Sequence, residues 1–314
     1  MMVPDPHRPS LNISVIVATY RRPDILFLTL ESLCHLQTHG LKWEIIVVDN
    51  ADDQKTRNVV SHFQDRLPVH YLVEVRRGKN NALNKAVETA RGDLFVFTDD
   101  DITADPRWLM EVWEGSQRWP DIAIFGGKIV ALFPPGKIPI SRGHPFFSGA
   151  YAVLDRGIDE GRSNPKEFWG PNLAIRSHVF HEGWRYNPDI GPNGDNYIMG
   201  SETELLKRLH QAGMSAVFLP NSLVYHRIRP EQLEVAWLYR RAFKFGRFQA
   251  VSWGKPDVPY LFGAPRFLYR RLVMLYLQRI RHCLDTEKRI DLGITHWMLR
   301  GNLYQYRKES RQET

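Results

Sequence analysis

The chain has 314 residues, 43% of them hydrophobic and 25% charged, which is the balance of a soluble globular protein with one large α/β domain or two domains. Its net charge of +7 is uneven: residues 237–314 carry 16 Lys and Arg against 6 Asp and Glu, so acidic partners such as phosphates, anionic lipid or nucleic acid are expected for the C-terminal quarter alone. Cys34 and Cys283 are too few and too far apart for a disulfide framework, no uncharged apolar run is long enough to span a bilayer, and the polar, Pro-containing residues 1–10 lack the apolar core of a secretory leader, so a flexible N-terminus and a cytoplasmic protein are expected.

Leu11–Thr19 is an apolar strand candidate, and Pro23-Asp24 opens an amphipathic helix running to about His35. Trp43–Val48 forms a second strand ending at Asp49, followed by a polar helix from Asp53 to Asp65 and a third strand at Val69–Val73. Ala82, Leu83, Ala86, Val87 and Ala90 recur at helical spacing between Asn80 and Ala90. Leu94–Thr98 is a short buried strand, Pro106–Trp119 a helix and Ile122–Leu132 a return to strand. This alternation predicts an α/β chain with a parallel sheet, helices on both faces and right-handed crossovers. Gly200–Leu205 begins a helix that stops at Gly213, with Ser201 and Glu204 spaced as a capping box. Glu231–Ala250 and Phe267–Leu284 are further helices. The sequence has no internal repeat and no low-complexity segment.

The strand ends carry the chemistry. Asp99, Asp100 and Asp101 follow the fourth strand, where Asp99 and Asp101 can aim at one point beyond its carboxyl end. Ligands of open α/β sheets bind in that crevice. Three crowded carboxylates repel one another unless a cation joins them, and a hard divalent ion would supply it. An N-capping cluster before Asp105-Pro106 is the plainer alternative. Asp49 ends the second strand, placed to accept bonds from a base or ribose or to cap a turn. Tyr20 offers a ring for stacking. Neither a G-x-G-x-x-G nor a P-loop follows the first strand, which argues against dinucleotide and Walker-type sites.

These segments together carry a resemblance. Ser14 to Arg22, Glu44 to Asn50, Gly78 with Ala82 and Asn84, and Gly92-Asp93 with the Asp triplet resemble glycosyltransferase family 2 through about His226. The resemblance implies a GT-A fold: a Rossmann-like, mostly parallel sheet flanked by helices. It implies an inverting, metal-dependent transfer from a nucleotide-diphosphate sugar, UDP by preference, to a glycan or lipid-linked acceptor of the cell envelope. Residues 11–132 would be the nucleotide-binding half of a catalytic domain, 133–229 the acceptor-binding half, and 230–314 a basic helical extension.

The implied roles attach to individual residues. Ala18, Thr19 and Tyr20 would contact the nucleoside and Asp49 would hold the base, with Gly78 and Asn84 beneath the nucleotide. Asp99 and Asp100 would meet the ribose and support the metal site, and Asp101 with His226 would hold Mn²⁺ or Mg²⁺. Trp169, Gly170 and Asn172 would face the acceptor, although burial or turn chemistry also accounts for Trp169 and Asn172. Residues 134–165, rich in Gly and Pro, read as an acceptor-side loop or lid. Glu202 stands where the family carries its general base, most often an aspartate after a glutamate; here the pair is Ser201-Glu202.

Beyond the resemblance, Arg240, Arg241, Lys244 and Arg247 would either approach a phosphate or form a solvated face. Residues 260–285 would either pack on the domain through Leu268, Leu272, Leu275, Tyr276, Ile280 and Cys283 or lie peripherally on an anionic membrane face, with packing favoured. A sugar-phosphate nucleotidyltransferase is the alternative enzyme, but the Gly-rich, Arg-containing loop it would carry after the first strand is replaced by Ala18-Thr19-Tyr20-Arg21-Arg22. A non-catalytic basic binding protein is the other alternative, and without a nucleic-acid motif no nucleic-acid partner is expected.

Overall fold

The computed structural model describes residues 11–157, 159–194 and 197–312; the expected flexible N-terminus, residues 1–10, lies outside them. The first half alternates as read: β1 (Leu11–Thr19), α1 (Pro23–Leu33), β2 (Trp43–Asp49), α2 (Gln54–Phe63), β3 (Val69–Val73), α3 (Lys79–Thr89), β4 (Gly92–Asp99), a short β5 (Ile102–Ala104), α4 (Trp108–Arg118) and β6 (Ile124–Leu132). β1, β2, β3 and β4 are mutually parallel. Ile13, Val15, Ile16 and Val17 are fully buried, as an interior strand covered on both faces requires. β4 enters the sheet at Gly92, where a Cβ would press on the Ser14 amide.

The second half supplies α5 (Phe147–Tyr151), β7 (Gly161–Ser163), β8 (Leu173–Arg176), α6 (Ser177–His181), α7 (Ser201–Gln211) and β9 (Ala216–Arg227). The sheet order is β3-β2-β1-β4-β8-β6-β9-β5, with β7 on β9. β8 runs antiparallel between β4 and β6, and β9 returns parallel to β6. The large central sheet, parallel through its first half and flanked by helices, is the expected α/β architecture.

Residues 134–165 are not a free lid. Phe146, Phe147, Ala150 and Tyr151 pack with Ile228, Leu238, Ala242 and Ile294 into a second core. That core joins the sheet to α8 (Val235–Trp253) and α10 (Thr286–Gln312), and α9 (Arg266–Arg281) packs on those two helices through a third core. α10 lies against α8 so closely that a Cβ on Gly246 would strike the Met298 carbonyl and one on Gly301 the Phe243 carbonyl. Arg247 is buried in this contact, donating to Gln305 Oε1 at 3.0 Å, which removes it from the set of α8 bases facing a ligand.

Candidate active site

Because β1, β2 and β4 are parallel, their carboxyl ends share one edge, and a cleft of about 450 Å³ opens there. Ala18, Thr19 and Tyr20 line it from β1 and Gly78 and Lys79 from the start of α3. The whole Asp triplet lines it, with His226 from β9. The volume suits a small organic ligand.

Tyr20 is 37% exposed, with the Arg21 and Arg77 guanidinium carbons 5.4 and 5.6 Å from its ring centre, so the ring is framed by cations. Gly78 has φ +127°, a conformation open to glycine, and its N–H donates to Asn50 Oδ1 at 2.7 Å. Asn50 also donates to the Glu74 and Arg76 carbonyls and thereby shapes the loop before α3.

The triplet finds its positive partners within the chain. β4 ends at Asp99, and Asp100 and Asp101 occupy the turn into β5, so the three acids form a wall of the cleft and do not alternate along a strand. Lys79 Nζ lies 2.7 Å from Asp99. Arg22 spans the next two, 2.5 Å from Asp100 and 2.7 Å from Asp101. His226 Nε2 lies 3.4 Å from Asp101. Burial, only partly offset by Arg22 and reinforced by the charge of Asp101, raises the Asp100 carboxyl to about 6. Burial also acts on Asp101, but the His226 hydrogen bond and Arg22 outweigh it and hold that carboxyl far below its ordinary range. The same contact overcomes burial at His226 and raises its imidazole.

Glu202 sits on the first turn of α7 with 15% of its side chain exposed, and its Oε1 accepts from Lys79 Nζ at 2.8 Å. Lys79 therefore bridges the last acid of β4 and the acid of α7. Burial pushes the Glu202 carboxyl up, and the Lys79 charge overcomes burial and lowers it, so Glu202 is an ionised carboxylate near neutral pH. The Lys79 ammonium is likewise held well above its ordinary value, with Asp99 and Glu202 outweighing burial.

The residues at Asp101 and His226 fit a hard divalent cation in donor type. His226 Nδ1 lies 2.7 Å from the Tyr151 carbonyl oxygen and donates to it, so that loss of the Nε2 proton now shared with Asp101 would leave Nε2 facing a cation held jointly with that carboxylate. A carboxylate and an imidazole are two protein ligands, and among the described residues no cluster of three or more His, Cys, Asp or Glu forms an all-protein cage. Phosphate oxygens and water would complete such a site.

Several sequence expectations are corrected. Asp49 is fully buried and accepts from the Ala51 and Asp53 amides and the Tyr71 hydroxyl; it organises the turn after β2 and lies outside the cleft lining. Asn84 also lies off the cleft, its amide paired in both directions with the Tyr186 backbone at 2.8 and 2.9 Å. Asn172 faces no acceptor: it is 2% exposed, takes bonds from Trp108 Nε1 and Ser222 Oγ, and donates to the Lys128 and Ser222 carbonyls. Trp169 is half-buried against the main core, and Trp237 of α8 is the tryptophan that lines the cleft, together with Arg241. Gly170 abuts Glu202, the missing side chain making room for the carboxylate. The Ser201–Glu204 capping box does not form: α7 is capped by Gly200 at φ +99°, and Glu204 pairs with Arg208 one turn on. Lys79, next to Gly78, and Arg22, two residues past Tyr20, carry no expected role although both stand beside residues that do.

Residues 14–159 match the Glycosyl transferase family 2 profile. The chain is 26% identical over 257 residues to a glucosyl-dolichyl phosphate glucuronosyltransferase of Haloferax volcanii, covering 77% of each chain. It is 26% identical over 241 residues to the succinoglycan biosynthesis protein ExoM of Rhizobium meliloti, covering 76% of this chain and 74% of the other. Its fold is similar to that of the mannosyltransferase PcManGT from Pyrobaculum calidifontis, solved with GDP-Man and Mn²⁺, at a TM-score of 0.62 and 17% identity over 96% of this chain and 89% of that one. Residues 14–159 are thus a glycosyltransferase family 2 domain, and the protein is a glycosyltransferase with the GT-A fold.

Proposed function

We propose that the protein transfers a sugar from a nucleoside-diphosphate donor to an acceptor hydroxyl in a single inverting displacement, with Glu202 as base. The observation that carries this reading is the shared edge: ionised Glu202, tied through Lys79 to Asp99, stands beside a cleft that Asp101 and His226 also line. The nucleoside would stack on Tyr20, beside Ala18, Thr19 and Asn50, with Asp99 and Asp100 toward the ribose. The diphosphate would lie between Asp101–His226 and the N-terminal end of α3, whose dipole favours anions. A divalent cation held by Asp101 and His226 would supply charge to the leaving diphosphate.

Glu202 removes the acceptor hydroxyl proton as that oxygen bonds to the anomeric carbon. The carbon–oxygen bond to the diphosphate breaks, and its electron pair leaves with the diphosphate. A single displacement through an oxocarbenium-like state inverts the configuration. Trp237 and Arg241 give α8 a share of the acceptor side, which extends the acceptor-binding part beyond residues 133–229. The dolichyl phosphate and succinoglycan chemistry named for the relatives supports a lipid-linked or envelope glycan acceptor. Free Cys34 and Cys283 support a reducing, cytoplasmic setting.

Calorimetric titration of UDP, GDP, dTDP and CDP, each with and without Mn²⁺, tests the reading. One diphosphate is expected to bind with a metal requirement that Asp101→Ala abolishes, while Glu202→Gln binds it normally and does not transfer. Failure of the folded protein to bind any of the four would overturn it.

A further inference from the structure

α9 is apolar on two sides, and the fold uses one of them. Leu268 is fully buried, and Leu272 and Leu275 are half-buried, packing with Ala250, Leu299, Leu303 and Tyr306 of α8 and α10. That accounts for half of the apolar stripe read from the sequence. On the other side Val273, Leu277 and Ile280 are 61, 60 and 55% exposed, spaced i, i+4 and i+7 on one face, and Leu284 just past the helix is 96% exposed. Phe262, in the turn leading into α9, is 75% exposed. A helix with apolar residues on both sides calls for a second apolar neighbour.

The charges identify that neighbour. Residues 260–284 contain Arg266, Arg270, Arg271, Arg279 and Arg281 and no Asp or Glu. Among the described residues no carboxylate pairs with any of the five arginines. At 100° per residue, Arg266, Arg270 and Arg281 fall on the same outward half as Val273 and Leu277, where long side chains can carry their charge outward while their stems lie on apolar surface. Alongside, Tyr269 and Leu272 form one wall of a cavity of about 780 Å³, whose lining includes Trp297, Arg300, Arg307 and Lys308 and no acid. An apolar face mixed with unpaired arginines, beside an aromatic and basic hollow, is complementary to a surface of acyl chains under anionic headgroups. A second copy of this chain would bring the same five positive charges against themselves.

We propose that α9 is a membrane-docking helix that lies in the plane of an anionic bilayer, with Val273, Leu277, Ile280 and Leu284 entering the acyl boundary and the flanking arginines on lipid phosphates. No helix of the described residues is long and apolar enough to cross a membrane, so the contact is in-plane. It stands on observations separate from the catalytic cleft.

Co-sedimentation of the full chain with phosphatidylcholine vesicles, with and without 30% phosphatidylglycerol, tests it. Binding is expected with the anionic vesicles, weakened about tenfold by raising NaCl from 0.1 to 0.5 M. Val273→Glu/Leu277→Glu is expected to weaken it about a hundredfold, the loss of two buried aliphatic side chains. Both substituted positions are exposed, so the variant should keep its thermal midpoint and its nucleotide binding. No binding to anionic vesicles, or equal binding by the folded double variant, overturns the proposal. So does a homodimer in sedimentation velocity that the double variant dissolves while vesicles remain unbound.

Discussion

Replacing Gly170 by alanine perturbs the reaction through one methyl group. Gly170 precedes Pro171 in a short turn, and a Cβ built on it lies 2.8 Å from Glu202 Cδ and 3.3 Å from Cγ, with Oε1 nearer still. Ordinary contacts between such atoms are about 3.5–4.0 Å. The carboxylate must therefore withdraw by about 1 Å, and as the end of a flexible side chain it can do so without unfolding the chain. Withdrawal breaks its 2.8 Å contact with Lys79 Nζ and carries Oε1 from its place beside the cleft. A displacement of about 1 Å in a reacting group costs roughly 10²-fold in rate, or about 2.7 kcal/mol of barrier. Gly170→Ala should show this loss in kcat for sugar transfer, measured by nucleoside-diphosphate release, while donor affinity by calorimetry is unchanged. Wild-type kcat in a folded Gly170→Ala protein would refute both the packing argument and the role of Glu202.

Lys79→Met removes the main opposition to burial at Glu202, leaving only a backbone hydrogen bond and the more distant Arg241 charge against it, so the carboxyl must rise. Its acid limb in the pH dependence of kcat/KM should move to higher pH, and an unmoved limb would show that Lys79 does not set the charge of the base. The sign for stability follows from the same pair. A carboxyl depressed by folding contributes stability above its unfolded value, near 4.3, and loses it as pH falls through the folded value, so Lys79→Met should also lower stability at neutral pH. Asn172→Ala strands Trp108 Nε1 and two carbonyls in the interior and should cost about 3 kcal/mol in denaturant unfolding. An unchanged unfolding midpoint with a raised acceptor KM would return Asn172 to the acceptor site.

The alternation of strands and helices through Leu132, the Asp triplet at a strand end, Glu202 at the start of a helix and His226 at the end of a strand were all legible in the residues. Apolar periodicity records how each segment is buried, and a parallel sheet brings every strand end to one edge, so local pattern was enough. Tertiary structure decided which of these groups meet. Lys79 and Glu202 are 123 positions apart, and Arg22 reaches acids 78 and 79 positions away. Asp49, Asn84 and Asn172 carry polar groups suited to a ligand, yet the fold spends them on its own backbone and on buried partners, because an interior amide or carboxylate must be satisfied where it lies. Trp169 and Trp237 look alike as residues, and only the packing of α8 over the second core puts Trp237 at the cleft. The long α10 was hidden by weak apolar periodicity, its glycines serving close contact with α8. The outward face of α9 emerged once Leu268 and Leu272 had been given to the interior. Sequence spacing records which side chains share a face, and burial by the rest of the chain determines which faces stay open.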